Sequence, residues 1–430
     1  MKNKILFSII GCVSSILFVS CITSGQNYEN IEIPIFSPMY QYGGCEPSIA
    51  INPINPKEIA AGSILDGYHY SKNGGKTWKT KQIESSYGVY GDPVLMYNSL
   101  GELFYFHLSN FDKTSWLDRI VCQKTTNIQG EFNDGTFPAP NGSKVQDKHW
   151  MVINPKNHHI YMTWTQFDVY NSDNKNDSSF ILFSKSIDRG ASWSLPKRIS
   201  YFGGDCMDGD NTVEGAVPAI GKDGAIVVTW SGPQGIMLQR SLDEGKTWLD
   251  KEEQVVAHVG GWDIDIPGMS RANGLPFLVS DMSSSLSSGT LYLNWADQSN
   301  GKDDTDIWLM KSTDNGLHWE GPIRVNQDST KSHQYFTNMT VDPSNGDLHF
   351  IFYDRSNFPN SLKTEVCWAK SSNGGKTFQS RIVSDHCFIP SEKAFLGDYL
   401  DIDVVGPYVR PIWPTYENGK IRLWTAIIDK

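Results

Sequence analysis

Three short stretches gather side chains that handle protons and negative charge: Asp147-Lys148-His149-Trp150, Ser332-His333-Gln334-Tyr335, and Lys393-Ala-Phe-Leu-Gly-Asp398-Tyr399. His107, Arg271 and Arg355 stand apart from them in the chain. Removing a carbon-bound proton beside a carboxylate takes a cation to neutralise the carboxylate, a base for the proton and an acid for the leaving oxygen. His, Tyr, Lys and Arg fill those roles, which is the chemistry of a lyase acting on a uronic acid. On this reading His149, Tyr399 and His333 are the expected catalytic residues. His107, Lys148, Arg271, Arg355 and Lys393 are expected to bind substrate, with Trp164 as a stacking face and Glu46, Asp92 and Asp398 as hydrogen-bonding groups. The acids Glu46, Asp92 and Glu214 serve equally well to hold backbone N–H groups across a channel, and His149 to pack beside Trp150.

Side chains so far apart in sequence need a scaffold that returns to one place. Seven segments share a pattern of a polar residue, a short apolar run and a turn: Glu46 to Asn52, Asp92 to Asn98, Lys148 to Asn154, Glu214 to Ile220, Gly274 to Val279, Tyr335 to Val341 and Asp398 to Val404. They recur roughly every 45 to 70 residues, the length of one blade of a radial array with its loops. Several following strands end in an aromatic residue and polar neighbours, as in Trp164-Thr-Gln-Phe-Asp168, Trp295-Ala-Asp297 and Tyr353-Asp-Arg355. In a propeller the start of each first strand and the end of each second strand share one mouth, where these residues are expected to meet.

Between the strands one phrase occurs five times: Ser71-Lys-Asn-Gly-Gly-Lys-Thr-Trp78, Ser186-Ile-Asp-Arg-Gly-Ala-Ser-Trp193, Ser241-Leu-Asp-Glu-Gly-Lys-Thr-Trp248, Ser312-Thr-Asp-Asn-Gly-Leu-His-Trp319 and Ser371-Ser-Asn-Gly-Gly-Lys-Thr-Phe378. The Asp or Asn side chain bonds backbone N–H groups of a turn, the Gly takes a positive φ, and the ring packs between neighbouring units. Thr125 to Gly130 and Glu417-Asn-Gly-Lys420 are degenerate versions. The expected fold is all-β: a seven-bladed β-propeller of four-stranded antiparallel sheets, with the ring closed by an N-terminal strand at Ile31 to Ile35.

The five phrases resemble the Asp-boxes of the sialidase-like, BNR-repeat β-propellers across nearly the whole chain. The resemblance implies a carbohydrate substrate, with the boxes on the face opposite the site. Familiar sialidases have six blades, three substrate-binding arginines and an Arg-Ile-Pro phrase; here Glu32-Ile-Pro lacks the Arg, and Val409-Arg410-Pro411 lies in another place. Blade count, size and export signal are closer to the seven-bladed rhamnose–glucuronate lyases, the related α-L-rhamnosidases and the ulvan lyases. The leading expectation is therefore a lyase cleaving a terminal linkage at glucuronic acid. The rivals are a glycoside hydrolase, either an α-L-rhamnosidase or an exo-sialidase, and a non-catalytic glycan-binding propeller.

Across the 430 residues the formal net charge is -11. The chain shows no basic stripe of the kind that binds nucleic acid. Lys2, Lys4 and the apolar Ile5 to Val19 read as an export signal over residues 1–20, and Phe18-Val19-Ser20-Cys21 resembles a bacterial lipobox. Cys21 is thus the expected lipidation site, residues 21–30 a tether and 31–430 one domain, a monomer held at the membrane of the cell envelope with an acidic glycan as partner. Cys45, Cys122, Cys206, Cys367 and Cys387 lack metal-ligand spacing and read mostly as small buried residues. No cofactor is expected. The run Asp303-Asp-Thr-Asp306 has the composition of a structural calcium loop but no further ligand spacing. His69, His158, His159, His258 and His318 are expected at the surface.

Overall fold

The computed structural model describes residues 28–35, 43–110 and 116–429; the signal reading and Cys21 lie outside them. The box phrase makes its own turn. In the copy at Ser241 the hydroxyl takes the Gly245 N–H at 2.8 Å, and the Asp243 carboxylate takes the Thr247 N–H at 2.8 Å and the Thr247 hydroxyl at 2.7 Å. The Ser-to-Gly bond recurs in all five copies. Glu244 and Gly245 both take left-handed backbone, at φ 57° and 80°. A Cβ on Gly245 would sit 2.4 Å from Cε1 of Phe183 in the neighbouring blade, so any other residue strains this turn.

Each turn joins two antiparallel strands, and the strands assemble into seven sheets. Their innermost strands are Ser48–Ile51, Val94–Tyr97, Val145–Ile153, Glu214–Ile220, Phe277–Ser280, Gln334–Val341 and Asp401–Val405, at the seven expected places. Six sheets have four strands. Blade 2 has three, ending at Trp116–Thr125; its fourth place holds only a bridge between Cys122 and Thr136. This is the blade without a box among the first six, so the strand is lost where the turn that would launch it is missing. The described helical content is one short 3₁₀ turn at Lys222–Gly224.

The ring closes between blades 7 and 1. The N-terminal strand, Glu29–Ile33, begins two residues before the expected start and pairs antiparallel with Lys420–Asp429 as the outermost strand of blade 7. Asp401 of blade 7 accepts the Ile49 N–H at 2.8 Å and the Ser48 hydroxyl at 3.0 Å, and Asp403 accepts the Ile51 N–H at 2.7 Å. Arg410 is fully buried and donates to the Gly74 carbonyl of the first box at 2.9 Å and to Asp429 at 2.9 Å. The Arg of the Val-Arg-Pro phrase is therefore a seam residue.

Trp164, Trp230, Trp295 and Trp413 end or near the ends of second strands and are buried between blades. Trp164 donates Nε1–H to Gln146 at 2.6 Å, so the expected stacking face is a core residue. His69 is buried between Ser63 and Thr80 and so is not the surface residue expected; His258 is half-buried and joins Ser231 at 2.7 Å to the Ala296 carbonyl at 3.0 Å. The five described cysteines are free, four of them buried.

Candidate active site

In blade 1, Ser48 pairs with Gly62 and Gly62 with Tyr68, whereas Ile51 pairs with Ile59 and Ile59 with Ser71, which opens the box. Glu46 and the box thus lie at opposite ends of the blade, and the mouth carrying Glu46 is the face away from the boxes. Here the strand starts share one distortion. Glu46, Asp92, Lys148, Gly215 and Phe336 all have positive φ, between 45° and 71°. In blades 3, 4 and 6 the strand register slips at this point. Such a bulge re-aims the side chains around it, at about 1–2 kcal/mol for each non-glycine residue. Its result is that Glu46, Asp92, Asp147, Lys148 and Glu214, from four blades, converge on one charged centre.

Lys148 is the hub. Its Nζ lies 3.3 Å from Glu46 Oε1 and 3.5 Å from Asp92 Oδ2, and it pairs with Asp398 Oδ2. The other oxygen of Asp398 is 2.8 Å from Arg271 Nε, and Asn273 Nδ2 donates to it at 3.1 Å. Arg271 reaches on to Asp208 at 2.8 Å, and Asp208 also accepts the Tyr170 hydroxyl at 2.6 Å. Gly397, at φ 92°, leaves room for this approach, since a Cβ there would meet Glu46 Cγ at 2.6 Å.

Six carboxyls, Glu46, Asp92, Asp147, Asp208, Glu214 and Asp398, thus surround two cations, and their protonation divides. Burial opposes the charge on Asp398, but Arg271 and Lys148 outweigh it and hold the carboxyl at about 2. Asp208 is also held below the usual range, against its burial, by Arg271 and Tyr170. Burial and the Asp92 charge push Asp147 up to about 7. Burial, with Asp208 and Asp147 beside it, raises Glu214 well above its ordinary range, and neither carboxyl oxygen of Glu214 has a hydrogen-bond partner. Glu46 is raised by burial and by Asp92. The mouth therefore sets ionised carboxylates beside protonated carboxylic acids.

His149 and Tyr399 line a cavity of about 30 Å³ directly below, with Asp92, Lys148, Trp150, Phe277 and Asp398. That is room for one water molecule. Neither ring nitrogen of His149 nor the Tyr399 hydroxyl has a hydrogen-bond partner of good geometry. Burial lowers His149 to about 4, so it stays neutral. The Tyr399 ring packs edge-on to Trp150, with centroids 5.7 Å apart. His107, from the second strand of blade 2, donates Nδ1–H to the Leu108 carbonyl at 2.8 Å and leaves Nε2 unpartnered close to His149.

The other expected residues lie apart from this centre. His333 joins Thr305 at 3.0 Å. Arg355 is buried and donates to Thr364, the Pro267 carbonyl and Tyr335 at 2.9–3.1 Å, forming no ion pair with Asp354 or Asp297. Arg355 braces blade 6 against the loop before Arg271, and His333 ties the start of blade 6 to Thr305 of blade 5. Lys393 is exposed in a loop that packs on that same loop through the Ala394 carbonyl and Ser270.

Asp208 and Tyr170 did not stand out in the sequence because they sit on loops with no repeat to mark them. Trp116, 37% exposed, was equally silent; its ring lies 5.5 Å from Tyr170 and 6.3 Å from Tyr90.

No family model matches the chain, and neither does any curated protein sequence. Solved structures do. An ulvan lyase of polysaccharide lyase family PL25, solved with -[GlcA(1-4)Rha3S]- bound, superposes with a TM-score of 0.52 at 12% identity, covering 93% of this chain and 96% of that one. The NanB sialidase of Streptococcus pneumoniae gives 0.51 at 10% identity, covering 86% and 83%. A Dyadobacter fermentans protein of unknown function gives 0.50 at 11% identity, covering 95% and 100%. At these identities the likeness is one of fold: a β-propeller, here with seven blades.

Proposed function

We propose that the protein is a glycan-cleaving enzyme, and that it acts as a glycoside hydrolase through the carboxyls of the mouth. The supporting observation is the crowding of six carboxyls around Lys148 and Arg271. Hydrolysis of a glycosidic bond needs one carboxylic acid to protonate the leaving oxygen and one carboxylate to act as base, nucleophile or charge stabiliser. Groups whose surroundings drive their protonation apart are the natural pair. Asp398, ionised between two cations, takes the second role. Asp147 takes the first, with Glu214 beside it as a second protonated group. Lys148 and Arg271 are already engaged by protein carboxylates, which argues for a substrate held by hydrogen bonds more than by its own negative charge.

A second reading, β-elimination at a uronic acid, is favoured by the neutral His149 and the Tyr399 phenol facing one cavity. One experiment separates the two. Wild-type protein is incubated with plant and algal polysaccharides and with rhamnose-capped glucuronate oligosaccharides, and the products are followed by reducing-end assay and near-ultraviolet absorbance. Hydrolysis releases reducing sugar without new absorbance, and elimination creates an absorbing unsaturated uronate. No cleavage of any glycan overturns both. Attachment through Cys21 would set this chemistry at the surface of the envelope and remains part of the proposal.

A further inference from the structure

The charged centre continues outward into a rim of aromatic rings. Tyr170 bridges the two: its hydroxyl binds Asp208 at 2.6 Å, and its ring meets Trp116 edge-on, at 5.5 Å between centroids and 73° between planes. On its other side Trp116 meets Tyr90 at 6.3 Å and 83°. Tyr90 lies two residues before Asp92, so the arc leaves the centre at both of its ends through residues that adjoin it. Met207, next to Asp208, is 50% exposed, and of the fourteen tryptophans, all of them among the described residues, Trp116 alone is exposed. The backbone beneath is distorted as it is at the strand starts: Leu117, Asn171 and Asp208 all have left-handed φ, between 49° and 58°. Strain of this kind persists where the surrounding structure fixes a group in place, and it gathers at ligand clamps.

A large indole left open to water costs hydrophobic free energy that burial would recover. The same ring, held edge-on by two tyrosines next to hydrogen-bonding carboxylates, suits the C–H face of a pyranose whose hydroxyls turn toward the charged groups. We propose that Trp116, Tyr90 and Tyr170 form a sugar-stacking subsite next to the charged centre, so that the protein recognises an oligosaccharide of at least two rings and gains little from a single one. The proposal rests on the glycan reading above and specifies how much of the glycan is grasped. Trp116 supplies the stacking face. Tyr170 both stacks and positions Asp208 through its hydroxyl, which burial and Asp208 keep protonated.

The test is direct binding, separate from turnover. Wild-type, Trp116→Ala and Tyr170→Phe proteins are applied to an immobilised array of plant, algal and host oligosaccharides of three to six sugars, together with the methyl glycosides of their terminal sugars. Thermal melting of each variant checks folding. The expected result is retention of one oligosaccharide class by the wild type, a loss of ten-fold or more for that class in Trp116→Ala, and an unchanged weak response to the methyl glycoside. Tyr170→Phe is expected to lose less, because its ring remains. Failure of the wild type to retain any oligosaccharide, or equal retention by wild type and Trp116→Ala, overturns the subsite. Retention without turnover leaves the subsite standing and removes the hydrolase reading.

Discussion

Arg271 of blade 5 places Nε 2.8 Å from Oδ1 of Asp398 in blade 7, while the other oxygen of Asp398 is held by Lys148 of blade 3. One carboxylate thus ties three blades together at the mouth, and its charge adds to the burial and the Asp92 charge that raise Glu46.

The first prediction concerns that tie. Asp398→Asn keeps the shape but leaves two largely buried cations short of a partner, and breaking a buried pair from one side costs about 3–5 kcal/mol. The denaturant midpoint should fall by a corresponding amount, and cleavage of any glycan substrate should drop at least a hundred-fold. An Asp398→Asn protein with the wild-type midpoint would show that Arg271 and Lys148 do not depend on it.

Activity should follow the proton on Asp147. Its carboxyl titrates at about 7, so the acid form is present at lower pH and is lost as pH rises through 7. The rate should fall on the alkaline side with an apparent pKa near 7, and Asp147→Asn should remove that limb together with most of the rate. A pH profile of kcat/KM for both proteins is the measurement, and an alkaline limb unchanged in the variant would exclude Asp147 as the acid.

Stability should depend on pH through the ring seam. Burial raises Asp401 to about 7 and Asp403 to about 6, against the bonds they accept from Ile49 and Ile51. Because the folded chain then binds these protons more tightly than the unfolded one, their contribution to stability falls as pH rises from about 4 to about 7. Melting temperature at constant ionic strength should decline over that window, and Asp403→Asn should flatten the decline. A slope identical to wild type would place the titration elsewhere.

The boxes should matter for folding and not for chemistry. Gly245→Ala forces a side chain into left-handed backbone and against Phe183, at a cost of about 1–3 kcal/mol. It should lower the melting temperature while kcat/KM at permissive temperature stays unchanged, since the turn lies at the far end of the blade from Lys148.

The sequence carried the fold plainly because each box encodes its turn within eight neighbouring residues, and most innermost strands lie in segments that lead from a polar residue into a short apolar run. Blade 2 shows the same rule by exception, losing its outer strand with its box. Half of the site was legible for the same reason: Glu46, Asp92, Lys148 and Asp398 stand at or next to strand starts, where the repeat itself points to the mouth. Trp164 was misread because adjacent strand residues face opposite ways, and its parity turns it between blades. Tyr170, Asp208 and Trp116 belong to loops and loop edges whose lengths follow no period, so only the folded chain brings them to Arg271. Arg355 and His333 carry suitable chemistry at suitable strand ends, yet nearby hydroxyl and carbonyl groups engage them first.

The most direct test of the central claim is cleavage in ¹⁸O-labelled water, with the products read by mass spectrometry for the wild type and for the Asp147→Asn and Glu214→Gln variants. The account predicts that the wild type inserts one heavy oxygen for each glycosidic bond broken and that Asp147→Asn nearly abolishes this. Products that carry no heavy oxygen, or an Asp147→Asn enzyme that cleaves as fast as wild type, would contradict it.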